Sequence, residues 1–256
     1  MPTHDPERAA PAWLTAGETT DEVLGLLKTG KEAEVFVVER RTLDGDRTAV
    51  LAHKRYRPLS VVKGQLEAEG FSRARTFTAD ARYRAGEGFR YSRDARAVAR
   101  RSAHGRRVLA ERWSRNEWDS LVRAHEAGVN VPYPVEQAAD GIVMQFLGDD
   151  RASAPRLVSA RLSPDELGCA HAQLMEDLAR LTRAGLVHAD LSPYNVLWWR
   201  DRAWVIDLPQ AVDLVANPGG LDLLHHDVTT VCRWFARRGL DCDGEAAFAA
   251  LLAEAF

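Results

Sequence analysis

The sequence predicts an α+β fold, with an antiparallel sheet first and helices after it. Three observations carry that expectation. Ala33, Val35 and Val37 alternate with Glu34, Phe36 and Val38, the period-two pattern of a strand. Asp44-Gly45 is a strong hairpin turn, and a second strand, 48–56, follows it. Ser163-Pro164-Asp165-Glu166 then opens a long amphipathic helix, with Ser at the N-cap and Pro in the first turn.

The remaining elements follow in order. Residues 1–27 are polar and proline-containing and read as a loose N-terminal extension. Segment 72–107 is dense in arginine with few balancing acids, and reads as a flexible basic loop. From about Val108 to Ala127 the pattern turns helical, with Trp113, Trp118, Leu121 and Val122 near one face, and Gly128 stops it. Residues 129–135 are extended, and 142–147 form a short apolar strand. The helix opened at Ser163 runs to Ala184 and ends at Gly185. Two short strands lie near Val196–Trp198 and Trp204–Ile206, and the rest is mostly helix. The expected organisation is an extension (1–27), a main domain (28–240) and a C-terminal helix (241–256).

Bulk properties narrow the function classes. The chain has 256 residues, 46% hydrophobic and 28% charged, with a net charge of -3, which gives no global argument for nucleic-acid binding. No apolar run approaches the roughly 20 residues that a membrane helix needs. The N-terminus lacks the pattern of a secretory signal, so a cytoplasmic location is expected. Cys169, Cys232 and Cys242 show no paired-ligand spacing, and reduced, mostly buried thiols are expected rather than a disulfide framework or zinc site. Lysine is scarce: Lys28, Lys31, Lys54 and Lys63 are the full set, which draws attention to Lys54 on the second strand.

The chemistry concentrates in a few motifs. In HADLSPYN, Asp190 and Asn195 stand five residues apart in a loop between a helix and a strand. That spacing serves phosphoryl transfer: the Asp reaches the proton of the attacking hydroxyl while the Asn oxygen reaches a metal on the phosphates. Asp207 follows an apolar strand and supplies a hard carboxylate ligand suited to Mg²⁺. Lys54 can neutralise phosphate oxygens, and Glu117, on the helix after the basic segment, is its natural ion-pair partner. Gly30 marks a turn before a strand, where backbone N–H groups can cradle phosphate. His188 reads as a loop-packing residue.

Together these residues resemble the RIO family of atypical protein kinases. Thr29 to Val35 is similar to that family's nucleotide loop, in place of the GxGxxG of ordinary kinases. Ser192 stands where RIO proteins carry Ser and ordinary kinases Lys, residues 113–135 resemble the αC helix and the strand after it, and Met144 opens a hinge-like MQFLGDD. The likeness is nearest to the Rio-one-type branch; IDLPQAV leans toward the Rio-two type, yet no room is expected before residue 28 for that branch's winged-helix domain, and a short, bacterial member fits both features.

The resemblance implies a two-lobed protein-kinase-like fold: an N-lobe (28–144) of antiparallel sheet and αC helix, and a reduced helical C-lobe (149–240) without an activation segment. It implies ATP, with Mg²⁺ or Mn²⁺ held by Asn195 and Asp207, and Asp190 as base. Gly30, Lys31, Glu32, Lys54, Glu117 and Ser192 would serve the nucleotide. The adenine would meet the Gln145 carbonyl and the Leu147 N–H beside the gatekeeper Met144. The phosphate acceptor would be serine, in a protein substrate or in the chain itself at Ser72, Ser92 or Ser102; alternatively Asp207 would accept the phosphoryl group in an ATPase cycle. RNA or a ribosome-related partner would meet the arginine-rich loop. Two other readings stay open: a small-molecule phosphotransferase of the aminoglycoside- or choline-kinase type, and an ATP-gated module that binds RNA or protein.

Overall fold

The computed structural model of the chain describes residues 9–30, 33–56 and 103–255. The basic segment up to residue 102, with Ser72, Ser92 and Ser102, and the nucleotide-loop residues Lys31 and Glu32 lie outside them.

Five antiparallel strands form one sheet: β1 (Thr19–Thr29), β2 (Ala33–Thr42), β3 (Thr48–Tyr56), β4 (Pro134–Ala138) and β5 (Gly141–Gln145), in the order β1-β2-β3-β5-β4. The β2–β3 hairpin turns at Asp44-Gly45, with Gly45 at φ 77, a backbone region that glycine enters without steric cost.

The expectation of a loose segment before residue 28 is corrected. A short helix, α1 (Ala12–Ala16), and strand β1 occupy it. Leu14 is buried with Leu51, Val135 and Val143. The Arg40 guanidinium, 5% exposed, binds Asp21 at 2.7 and 2.8 Å, Glu136 at 2.7 Å and the Leu14 carbonyl at 3.0 Å. These bonds tie the N-terminal segment to β2 and β4. The strand escaped notice because two register shifts break its alternation and most of its residues are exposed, as suits a sheet edge.

Helix α2 (Ala103–Glu126) packs on β4 and β5. It begins five residues before the expected Val108, so the end of the segment read as flexible loop is helical. Gly128, at φ 79, closes it.

Beyond β5 the chain is mainly helical. The minor hairpin β6 (Gly148–Asp149)–β7 (Ala152–Ser153) leads to helix α3 (Pro164–Arg183). A full capping box starts α3: the Glu166 N–H donates to Ser163 Oγ at 3.3 Å, and the Ser163 N–H donates to Glu166 Oε2 at 2.7 Å. After β8 (Leu186–Val187) and a short 3-10 turn (Pro193–Asn195) come β9 (Val196–Trp199), β10 (Arg202–Val205) and β11 (Val212–Asp213). Helices α4 (Gly220–Ala236) and α5 (Gly244–Ala255) complete the described chain. The main core joins Leu174, Leu178 and Leu181 of α3 to Val228, Val231 and Phe235 of α4. Leu121 from α2 and Ile142 from β5 belong to the same cluster, so helical packing is continuous with the sheet.

Candidate active site

A cleft of about 530 Å³ opens between the sheet and the helical part. Its apolar surface comes from Val35 on β2, Ala52 on β3, Met144 on β5, Leu197 on β9 and Ile206. Gly30, Lys54, Glu117, Gln145, Leu147, Asp190 and Asp207, all singled out in the sequence, line it too. Ser192 and Asn195 are not among the lining residues. The Ser192 carbonyl accepts the Asn195 N–H at 2.8 Å and so shapes the turn that carries Asn195.

Lys54 is the electrostatic centre. Strand alternation aims it off β3 at the cleft, where Nζ lies 2.7 Å from Glu117 Oε1 and 2.6 Å from Asp207 Oδ1. Glu117 comes from α2 and is 2% exposed. Burial opposes the Lys54 charge, but Glu117 and Asp207 outweigh it and hold the ammonium pKa above its ordinary value. The Lys54 cation in turn holds the Asp207 carboxyl below the usual carboxylate range, against desolvation. The contact with Asp207 adds a second partner to the expected Lys54–Glu117 pair.

Two residues beside the cleft have left-handed backbone geometry. Ala189 and Asp207 adopt φ 64 and φ 71, left-handed values that cost non-glycine residues about 1–3 kcal/mol and persist only where surroundings enforce them. Asp227, fully buried on α4, enforces the first, accepting from the Ala189 and Leu191 N–H groups, both at 2.8 Å. Burial pushes the Asp227 carboxyl above its ordinary value, although His188 and these two donors pull the other way. Asn195 Nδ2 donates to the Asp190 carbonyl at 2.8 Å and reaches Asp190 Oδ2 at 3.4 Å. His188 is buried, and its Nε2 lies 3.1 Å from the Ile206 carbonyl. A carbonyl only accepts, so Nε2 carries the proton. That bond ties the Asp190 loop to the strand end before Asp207, a packing role.

Of the backbone N–H groups expected to cradle phosphate at the turn, those of Lys31 and Glu32 lie outside the described residues, and only that of Gly30 can be followed. Its N–H is spent on the Ala33 carbonyl at 2.8 Å, and an added Cβ would meet that oxygen at 3.0 Å. Gly30 therefore lets the turn close tightly on the Ala33 carbonyl.

Sequence reasoning missed several lining residues. Lys28 and Arg156 add two cations to the cleft, and burial followed by Arg156 lowers the Lys28 pKa. The scarcity of lysine was a signal for Lys28; Arg156 lies outside the named strands and helices and gave none. Asn116, beside Glu117, donates to the Pro209 and Ala211 carbonyls at 2.9 and 3.1 Å, fixing the segment after Asp207 to α2.

For a divalent metal, the chemistry of the donor set is the test. Asp207 offers a carboxylate with a side chain 44% exposed, and Asn195 an amide, both hard donors of the kind Mg²⁺ takes alongside phosphate oxygens. The residues fit.

A sheet lysine paired with a helix glutamate, set across a cleft from an Asp-x4-Asn loop and a strand-end Asp, defines the protein-kinase-like class. A family model described as the RIO domain matches residues 75–247. The RIO-type serine/threonine-protein kinase Rio1 of Haloferax volcanii is 34% identical over 227 residues, covering 88% of this chain and 67% of the relative. Serine/threonine-protein kinase RIO3 of Mus musculus is 29% identical over 221 residues, 86% of this chain and 40% of the relative. The RIO1 protein of Caenorhabditis elegans is 33% identical over 217 residues, 84% of this chain and 37% of the relative. The chain belongs to the RIO family and has its α+β kinase-like fold with an antiparallel N-terminal sheet. It spans less than half the length of the mouse and nematode relatives.

Proposed function

We propose that this chain is an ATP-dependent serine kinase of the RIO type, acting on a protein substrate or on itself. The observation that carries the reading is the convergence of Lys54, Asp190 and Asp207 on one cleft with an apolar wall. Family membership supports it over a small-molecule phosphotransferase or a purely ATP-gated binding module.

In this reading, Val35, Ala52, Leu197 and Ile206 sandwich the adenine ring, and the Gln145 carbonyl and Leu147 N–H bond its edge beside Met144. Lys54 exchanges its contact with Asp207 for phosphate oxygens, while Glu117 keeps it aimed. Asn195 and Asp207 hold Mg²⁺ or Mn²⁺, which neutralises charge on the phosphates when bound. Asp190, exposed at the cleft, accepts the serine hydroxyl proton as that oxygen attacks in line. Positioning and fixed charge supply most of the acceleration. Turnover without a serine acceptor would proceed through Asp207 as phosphoryl acceptor.

We read the sheet with α2 as the N-lobe, its start moved back to β1, and the part from Gly148 onward as the C-lobe. Only residues 208–219 separate Asp207 from α4, which supports a C-lobe without an activation segment. No described helix is long and apolar enough to cross a membrane.

The test is incubation of the pure chain with Mg²⁺ and γ-labelled ATP, beside Asp190→Asn and Asp207→Asn. Label on the wild-type chain, stable to hydroxylamine and absent from both variants, is the expected result. Labelling that persists in Asp190→Asn, or no label and no phosphate release from wild type, overturns the proposal.

A further inference from the structure

Away from the cleft, three potential metal ligands from three elements meet. His171 lies on α3, Cys232 on α4, and Cys242 in the turn between α4 and α5. The His171 ring nitrogen and the two Sγ atoms lie within 4.8 Å of one another. His171 Nε2 is 3.1 Å from Cys242 Sγ. Cys232 is 1% exposed, and the other two are half-buried, leaving a path for an ion from solvent.

We propose that His171, Cys232 and Cys242 form a zinc site that fastens α5 to α3 and α4. Two thiolates and one imidazole are a soft-to-borderline donor set, which selects zinc over the hard Mg²⁺ of a nucleotide cleft. Tetrahedral zinc places sulfur about 3.6 Å from nitrogen and about 3.8 Å from a second sulfur. The ligand atoms therefore need to move by only about 1 Å or less to enclose the ion. The His171 ring is already oriented by its edge-on contact with Phe235, centroids 5.0 Å apart and 71° between planes. Asp243, next in the chain, is engaged at the start of α5, where its Oδ1 accepts from the Glu245 and Ala246 N–H groups at 2.9 and 3.3 Å. Water takes the fourth position.

Without metal the cluster is held by hydrogen bonding, with His171 Nε2 3.1 Å from Cys242 Sγ. On binding, Cys232 and Cys242 each release a proton to solvent, and the two thiolates balance the dication. The sequence reading set zinc aside because no paired spacing was visible. The fold supplies the proximity: α4 ends at Ala236, the chain reverses through Gly239 at φ 91, and Cys242 returns beside Cys232.

The test uses the full chain, reduced and chelator-treated, titrated with Co²⁺ and then Zn²⁺. The expected result is one Co²⁺ per chain with thiolate charge-transfer bands and tetrahedral visible bands, bleached by one equivalent of Zn²⁺. An oxygen-only site in the cleft cannot give the charge-transfer bands. Cys242→Ser and His171→Ala should each lose more affinity than the roughly 10–100-fold that an outer-shell change costs. Cys169→Ser should bind as wild type. Should a variant fail to fold, thiol titration of the wild type decides: Zn²⁺ should protect two of three cysteines. No charge-transfer band in the folded, reduced wild type, unchanged affinity in Cys242→Ser, loss of binding in Cys169→Ser, or unprotected thiols would overturn the site.

Discussion

The two walls of the cleft are held by different forces. On the sheet side, charge dominates: the Lys54 ammonium bridges Glu117 and Asp207 at 2.7 and 2.6 Å. On the helical side, short directional bonds dominate: Asp227 grips the Ala189 and Leu191 amides, Asn195 bonds the Asp190 carbonyl, and His188 bonds Ile206. Charge is long-ranged and tolerant of angle, so in the proposed function Lys54 would trade Asp207 for phosphate oxygens. Backbone-directed bonds are geometrically strict, so the Asp190 loop keeps its shape whether or not the cleft is filled. One wall is built to exchange partners, and the other to hold still.

The largest expected effect breaks the still wall's chemistry and spares its backbone-directed bonds. Asp190→Asn should lower kcat by about 10²–10⁴ and leave ATP affinity and thermal stability near wild type, because the side chain is exposed. Single-turnover phosphoryl transfer beside calorimetric ATP titration measures both. If ATP binding fell as far as turnover, Asp190 would belong to the gripping wall and the contrast would collapse.

The next effect breaks the charged wall. Lys54→Met leaves Glu117 buried without its cation, at a cost of about 3–5 kcal/mol in denaturant unfolding. The double change Lys54→Met/Glu117→Leu should recover most of that stability and none of the phosphoryl transfer. Failure to recover would mean that Glu117 stabilises α2 through other partners.

pH sharpens the same contrast. Lys54 holds the Asp207 pKa down, so that stabilisation is complete above the unfolded carboxylate value of about 3.9 and is lost as pH falls through the folded one. The raised Lys54 pKa keeps its share complete below about 10.4, lost only as pH rises through the still higher folded value. Asp227 runs oppositely. Burial raises its pKa, so its contribution declines as pH climbs from about 3.9 to the folded value. Asp227→Asn leaves one loop amide without its acceptor and should cost about 1–3 kcal/mol. Unfolding measured across the acid range should show its deficit narrowing as pH rises. A deficit that widens instead would mean that the two amide donors outweigh burial.

How much of this was legible in the sequence follows the same division. Lys54, Glu117, Asp190 and Asp207 were readable because strand alternation, helix context and fixed spacing each constrain where such side chains point. The Ser163 capping box was readable because its chemistry is local. β1 was not, since register shifts after Val23 and Leu26 erase the alternation that marks a strand. Lys28, Arg156 and Asn116 gain their meaning only from the residues that folding brings opposite them. His171 is 71 positions from Cys242, too far for any spacing rule to join them.

The smallest effect calibrates the others. Ser163→Ala removes the acceptor for the Glu166 N–H at the start of α3, on neither wall of the cleft. Cap losses cost about 1 kcal/mol, which for a chain of this size lowers Tm by about 2–4 °C. The kcat and the KM for ATP should not move. α3 ends just before β8 and the Asp190 loop, so it is the path by which a distant loosening could reach the reacting residues. If Ser163→Ala lowered kcat while Tm changed only slightly, the loop would draw its rigidity from the whole of α3. The bonds to Asp227 would then be the visible end of a longer support, and the still wall would be less self-contained than its geometry indicates. An unchanged kcat would assign that stillness to the local bonds alone.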